Sequence, residues 1–251
     1  MVEKGKTMNN YYDDPVFFEK YSQMGRSING LAGAGEWESL QKMLPDFRGK
    51  SVLDLGCGYG WHCLYAAEQG ASRVLGIDLS EKMLEVAQKK AKDAGTNVIS
   101  YQRMAMEEYD YPANLFDVVI SSLALHYVSD LPAIYQKVYG TLRQGGKFVF
   151  SVEHPIFTAY GNQDWIYDEG GKILHWPVDR YFEEGNREAI FLGETVQKQH
   201  RTLTGWIQPL LEAGFQIRQI CEPQPPVHMM DLPGMKDELR RPMMLLISAE
   251  K

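Results

Sequence analysis

Ser51-Val52-Leu53-Asp54-Leu55-Gly56-Cys57-Gly58-Tyr59-Gly60 is the stretch whose reading decides the fold. Val52, Leu53 and Leu55 suit a buried strand, and Trp61 opens a helical stretch. Glycines tolerate positive φ and carry no Cβ, so a ligand can lie against the backbone of such a turn. The turn also feeds a helix N-terminus, where free N–H groups and the helix dipole favour negative charge. A nucleotide-type cofactor at the mouth of an α/β sheet follows from this pattern. Spacing narrows the choice. A dinucleotide fingerprint needs G-x-G-x-x-G, and Trp61 stands where its third glycine belongs. A Walker loop needs Gly-Lys-Ser/Thr, which does not occur here.

Working outward, strand-like segments recur at 73–77, 97–101, 116–121 and 146–152. Helical stretches near 61–69, 80–94 and 130–142 lie between them. This alternation predicts a parallel sheet wrapped by helices. The second helix has the clearest pattern. Ser80 is a good N-cap, Glu81 complements the dipole, and Met83, Leu84, Ala87 and Ala91 share one face before Gly95. Segments 215–221 and 243–249 read as closing strands, and 202–213 as a helix kinked or broken near Pro209. Residues 223–241, with Pro223, Pro225, Pro226, Pro233 and Gly234, read as loop. Residues 11–45 read as helices that cap the site. The aromatic segment 153–200 has no long period and reads as a short extra β element or a lid.

Asp54 to Gly60 closely resembles motif I of the class I S-adenosylmethionine (SAM)-dependent methyltransferases, in particular the small-molecule, type 11-like members. The resemblance continues in order through Arg73-Val74-Leu75-Gly76-Ile77-Asp78, Phe116-Asp117-Val118-Val119-Ile120-Ser121 and Leu142-Arg143-Gln144-Gly145-Gly146-Lys147-Phe148-Val149. It implies an α/β, Rossmann-like seven-stranded sheet, mostly parallel, of order 3-2-1-4-5-7-6 with strand seven antiparallel. One domain results: a helical cap over 1–45, a SAM-binding core over 46–152, an insertion over 153–200 and a closing part over 201–251. In the resemblance Gly56, Gly58 and Gly60, with Cys57 between them, pass under the methionine half of SAM. Asp78 accepts the ribose hydroxyls, with Leu79 beside it. Many relatives carry an adenine-binding Asp where Met104 stands, so adenine contact is expected from Ala105 and Met106. Ser121 and Ser122 are expected to flank the sulfonium. Asp54 either orders the loop or contacts the cofactor's amino group through water.

The acceptor is bounded by charge and by missing motifs. The 251 residues carry net charge −7, with a pI near 5.4 and 44% hydrophobic residues. Such a chain has a substantial core and repels phosphate backbones. Asn/Asp-Pro-Pro-Tyr/Phe is absent after the fourth strand, as is a Pro-Cys nucleophile, which points away from nucleobases. Cys57, Cys63 and Cys221 fit no zinc or disulfide pattern, and free thiols in a reducing cytoplasm are expected. The N-terminus lacks a signal-peptide core, and Met8 is an alternative start. No run approaches the ~18 apolar residues of a membrane span.

A small, partly apolar acceptor is therefore expected, methylated on oxygen first, nitrogen second, or carbon. No metal, nucleic acid or membrane is expected as partner, and a homodimer is an open alternative to a monomer. His126, His154 and His200 are candidate bases, since histidine titrates near neutrality. Tyr21, Arg26, Glu153 and Arg201 are candidate substrate contacts, the arginines as carboxylate clamps. Tyr11, Tyr12 and Trp37 are cap aromatics that close over a ligand or pack on the core. An RNA- or tRNA-modifying methyltransferase and a non-catalytic SAM-binding regulator are the rival readings. A nicotinamide oxidoreductase ranks last.

Overall fold

The computed structural model describes residues 10–251, so a start at Met8 lies outside the described residues. Three short helices come first: α1 (Pro15–Ser22), α2 (Gly25–Ile28) and α3 (Trp37–Met43). Asp14 caps α1 by accepting the N–H groups of Val16 and Phe17, and Pro15 occupies the first turn, where no N–H is needed. The core alternates β1 (Ser51–Leu55), α4 (Trp61–Glu68), β2 (Arg73–Asp78), α5 (Glu81–Asp93), β3 (Ile99–Arg103), β4 (Phe116–Ser122), α6 (Leu131–Thr141) and β5 (Leu142–Glu153). Helix α7 (Pro155–Thr158) leads into two hairpins. One pairs β6 (Ile166–Tyr167) with β7 (Ile173–His175), the other β8 (Gly185–Phe191) with β9 (Glu194–His200). Helix α8 (Leu203–Glu212), β10 (Gln216–Cys221) and β11 (Met244–Glu250) follow.

Seven strands form one sheet in the order β10-β11-β5-β4-β1-β2-β3. Every pairing is parallel except those of β11, which runs antiparallel to both β5 and β10. With β10 and β11 as sixth and seventh strands, this is the order 3-2-1-4-5-7-6. Every residue of β1 is buried, because helices cover both faces of a parallel sheet. Leu53, Leu55, Phe148 and Phe150 pack on one face against Tyr135 and Val138 of α6 and Trp206 and Leu210 of α8. Val52, Val118 and Ile120 pack on the other against Cys63 and Ala66 of α4 and Leu84 of α5. The strand order reverses between β1 and β4, and ligands of such sheets bind beyond the strand ends at that point.

Three departures from the sequence expectations stand out. Helix α8 runs unbroken through Pro209. Strand β5 begins at Leu142, which pairs with Phe116 ahead of an irregularity in register. The insertion is two separate hairpins, and β8–β9 buries Ala189 and Val196 against Phe17 of α1. Cap and insertion thus share a small apolar core apart from the sheet.

Candidate active site

Strand β1 delivers the glycine loop to the switch point. Gly56, Gly58 and Gly60 adopt φ of 72°, 51° and 72°. A Cβ on Gly56 would stand 2.3 Å from the Ala124 Cβ, and one on Gly60 2.3 Å from the Tyr101 hydroxyl. Glycine alone fits both places. At the end of β2, Asp78 accepts the Gly58 N–H at 2.8 Å and the Ser80 N–H at 2.9 Å. Burial raises its carboxyl above the ordinary value. The Leu79 carbonyl accepts from Arg103 Nε at 3.3 Å. Beneath the loop, the buried Asp54 accepts the Cys63 S–H at 3.2 Å through Oδ2, while Oδ1 has no partner among the described residues. Burial pushes this carboxyl up to about 7. Cys57 is buried in the loop itself. Ala105 is buried and Met106 packs on the apolar core, its carbonyl accepting from the Tyr111 hydroxyl at 2.8 Å.

Over this loop lies an open cleft lined by Tyr21, Arg26, Glu36, Gly56, His62 and Ser122 among others. Two expectations change here. The Ser121 hydroxyl is fully buried and donates to the Leu55 carbonyl at 2.9 Å, so it ties β4 to β1. Ser122 is the serine on the cleft, 3.1 Å from Ser151 Oγ. Arg26, expected on the acceptor, lines the cleft beside the glycine loop and pairs with Glu36 at 2.6 Å. Leu123, next to Ser122, is left-handed at φ 53°. Such strain in a non-glycine residue concentrates at functional sites, and here it leads into Ala124, the neighbour of Gly56.

A second group of candidates gathers at the exits of β4 and β5, the cap and β9. His126 lies in the turn Leu125–Tyr127, is 2% exposed, and its Nδ1 has no partner among the described residues. Burial lowers it to about 4, against the pull of Glu153. The Tyr12 and Tyr127 hydroxyls meet at 3.2 Å, and the Tyr12 and Tyr21 rings stand edge to face at 5.3 Å. Glu153 pairs with Lys198 at 2.5 Å, and Gln163 bonds both partners at 2.7 and 3.2 Å. Burial raises the Glu153 carboxyl, but the Lys198 charge and these hydrogen bonds outweigh it and leave it below its ordinary value.

The other candidates hold structure. His154 caps α7, its Nδ1 accepting the Ile156 N–H at 3.0 Å. Its Nε2 lies 2.8 Å from Glu222, off line for a hydrogen bond. His200 faces Thr158 Oγ1 at 2.7 Å and donates from Nε2 to the Tyr181 carbonyl at 2.9 Å, so neither nitrogen is free. Arg201 Nη2 donates to the carbonyls of Val128 and Ser129, pinning the turn after His126. Tyr11 accepts the Gln197 N–H at 3.2 Å, and Trp37 packs on Tyr65 at 4.8 Å, so both join the cap to its neighbours.

Sequence reasoning missed Glu36, His62, Gln163 and Lys198. Lys198 carried a signal: Val196, Lys198 and His200 alternate on the buried face of β9, and a lysine in that phase needs an internal partner. No group of three or more His, Cys, Asp or Glu able to hold a metal occurs among the described residues. None of the helices among them is long and apolar enough to cross a membrane.

The glycine cradle that a Cβ would fill, the acidic end of β2 and the open cleft over the loop fit SAM. Residues 53–150 match the family described as a methyltransferase domain. The sequence is 35% identical to an uncharacterized protein of Haemophilus influenzae, over 97% of this chain and 99% of that one. Among solved structures it is similar to a Listeria monocytogenes protein assigned as a SAM-dependent methyltransferase. Identity is 58% and TM-score 0.83, over 88% of this chain and 99% of that one. A SAM-dependent methyltransferase of Mesorhizobium loti matches at 43% identity and TM-score 0.81, over 88% and 100% of the two chains. The chain belongs to the class I SAM-dependent methyltransferases.

Proposed function

We propose that this methyltransferase acts on an oxygen or nitrogen, or a carbon, of a small and partly apolar molecule held between the cap, the β4 exit and the insertion. The observation that carries this is His126: a buried, neutral imidazole with an unpartnered Nδ1, followed in the chain by the tyrosine that pairs with Tyr12. Bound SAM supplies an electrophilic methyl group on a sulfonium. Gly56, Gly58 and Gly60 would hold its methionine half, Asp78 the ribose, and Ala105 and Met106 the adenine. The protein's own task is alignment and exclusion of water. Tyr12, Tyr21 and Tyr127 cover the site with rings. A neutral His126 accepts an acceptor X–H at Nδ1, orients the lone pair on X and takes the proton. The net charge of −7 favours a small molecule over a polyanion.

The test is methyl transfer from labelled SAM to a panel of small hydroxy, amino and enol acceptors, with tRNA in parallel. On the acceptor found, His126→Gln should lower kcat by roughly 10²–10⁴-fold and leave S-adenosylhomocysteine (SAH) affinity unchanged. An unaltered kcat removes His126 from the mechanism. Labelled tRNA with no labelled small molecule overturns the acceptor class.

A further inference from the structure

The cap holds a charge pair whose hydrogen bonding is incomplete among the described residues. Glu36 stands just before α3 and is 3% exposed, yet its Oε2 has no partner among the described residues. Its Oε1 accepts from Arg26 Nη2 at 2.6 Å, and the other guanidinium nitrogens of Arg26 have no acceptor among those residues. Both side chains line the cleft beside Gly56, Cys57 and Gly58. His62, on the same wall, is lowered to about 4 by burial and so offers no competing cation. Buried carboxylate oxygens are seldom left without a donor, and a charged N–H is the strongest one available. A guanidinium with free N–H groups matches a carboxylate. One ligand answers both needs, an α-amino acid zwitterion with its ammonium on Glu36 and its carboxylate on Arg26.

We infer that Arg26 and Glu36 read the amino-acid end of the cofactor, so that the cap docks as that end binds; this rests on the cleft being the SAM site. Both residues belong to the cap, while the glycine loop belongs to the core. The cap already rests on the loop and on the residues after it. A Cβ on Gly30 would stand 3.0 Å from the Trp61 ring, Trp37 meets His62 at 5.6 Å, and Tyr21 meets Tyr59 at 5.7 Å. A ligand that touches α2, Glu36 and the loop together favours the docked cap, and by linkage the docked cap favours that ligand.

Calorimetry with SAH and 5′-methylthioadenosine, which share adenosine and thioether but differ in the amino-acid end, separates the possibilities. The wild type should bind SAH more tightly, and Arg26→Gln and Glu36→Gln should each shrink that preference by about tenfold or more. Methylthioadenosine affinity should stay unchanged. Hydrogen exchange on the wild type needs no variant: SAH should slow exchange over residues 17–43, and methylthioadenosine should not. An undiminished preference in both folded variants, or equal protection by both ligands, overturns the assignment of Arg26 and Glu36 and leaves the SAM site standing. Binding of neither ligand overturns the SAM site itself.

Discussion

At Gly60 one methyl group decides whether the loop can form. Its φ is 72°, and an added Cβ would meet the Tyr101 hydroxyl at 2.3 Å. Gly58 has φ 51° but nothing within 4 Å of its Cβ position. Gly60→Ala therefore carries both left-handed strain and a clash, and should cost roughly 2–5 kcal/mol in urea unfolding. Gly58→Ala carries strain alone and should cost about 1–2 kcal/mol. Equal losses would show that the Tyr101 contact is unimportant. Asp54 makes a second case. Burial holds it at about 7 against 3.8 for the ordinary carboxyl. The folded state then binds its proton more tightly than the unfolded chain, so this contribution is full below about pH 4 and is lost as pH rises to about 7. Between pH 5 and 8 the wild type should lose roughly 2–3 kcal/mol that Asp54→Asn retains. Parallel pH profiles of the two proteins would mean that Asp54 is ionised in the fold.

The start of α5 shows how elements meet and how far the sequence displays it. Ser80 accepts the Met83 N–H at 3.1 Å, and its own hydroxyl donates to Asp13 at 2.5 Å. Asp13 also accepts the Lys82 N–H at 3.2 Å. The helix thus has its own cap plus a carboxylate from the first turn among the described residues. Ser80→Ala should cost about 1 kcal/mol and should speed hydrogen exchange over residues 11–22; unchanged exchange there would mean that the first turn docks by other contacts. Ser80 was legible because a cap and its helix are neighbours in sequence. Asp13 was not, since nothing local ties it to a helix 68 residues away. The same contrast runs through the fold. β1 could be bounded to the residue because a short apolar run ends at a glycine turn. β6 and β7, of two and three residues, are too short for any alternation to register. Arg26 and Glu36 lie in a glycine-rich stretch without periodicity, so only the folded cap reveals them as partners. His154 and His200 were candidate bases by residue type and place, one after the fifth strand and the other before the 202–213 helix, but His154 turns to cap α7 and the His200 ring is set by Thr158 and Tyr181, distant in sequence.

For the whole molecule, cofactor binding and stability are one equilibrium. The glycine loop hangs on β1, Ser122 on β4, and Arg26 and Glu36 on the cap, while Asp78, proposed for the ribose, hangs on β2, so the unfolded chain cannot present the cleft. A ligand that binds only the fold stabilises it by about 2.7 kcal/mol at a hundred times its Kd. For a chain of 251 residues, that corresponds to a rise of roughly 5–10 °C in Tm. SAH should produce such a rise, increasing with the logarithm of its concentration. NADH should produce none, because Trp61 occupies the place of the third glycine in a dinucleotide fingerprint. tRNA at low salt should produce none either, since a chain of net charge −7 gains little from counterion release. A rise with NADH alone would return the glycine loop to a dinucleotide, and a salt-sensitive rise with tRNA would move the acceptor from small molecules to RNA.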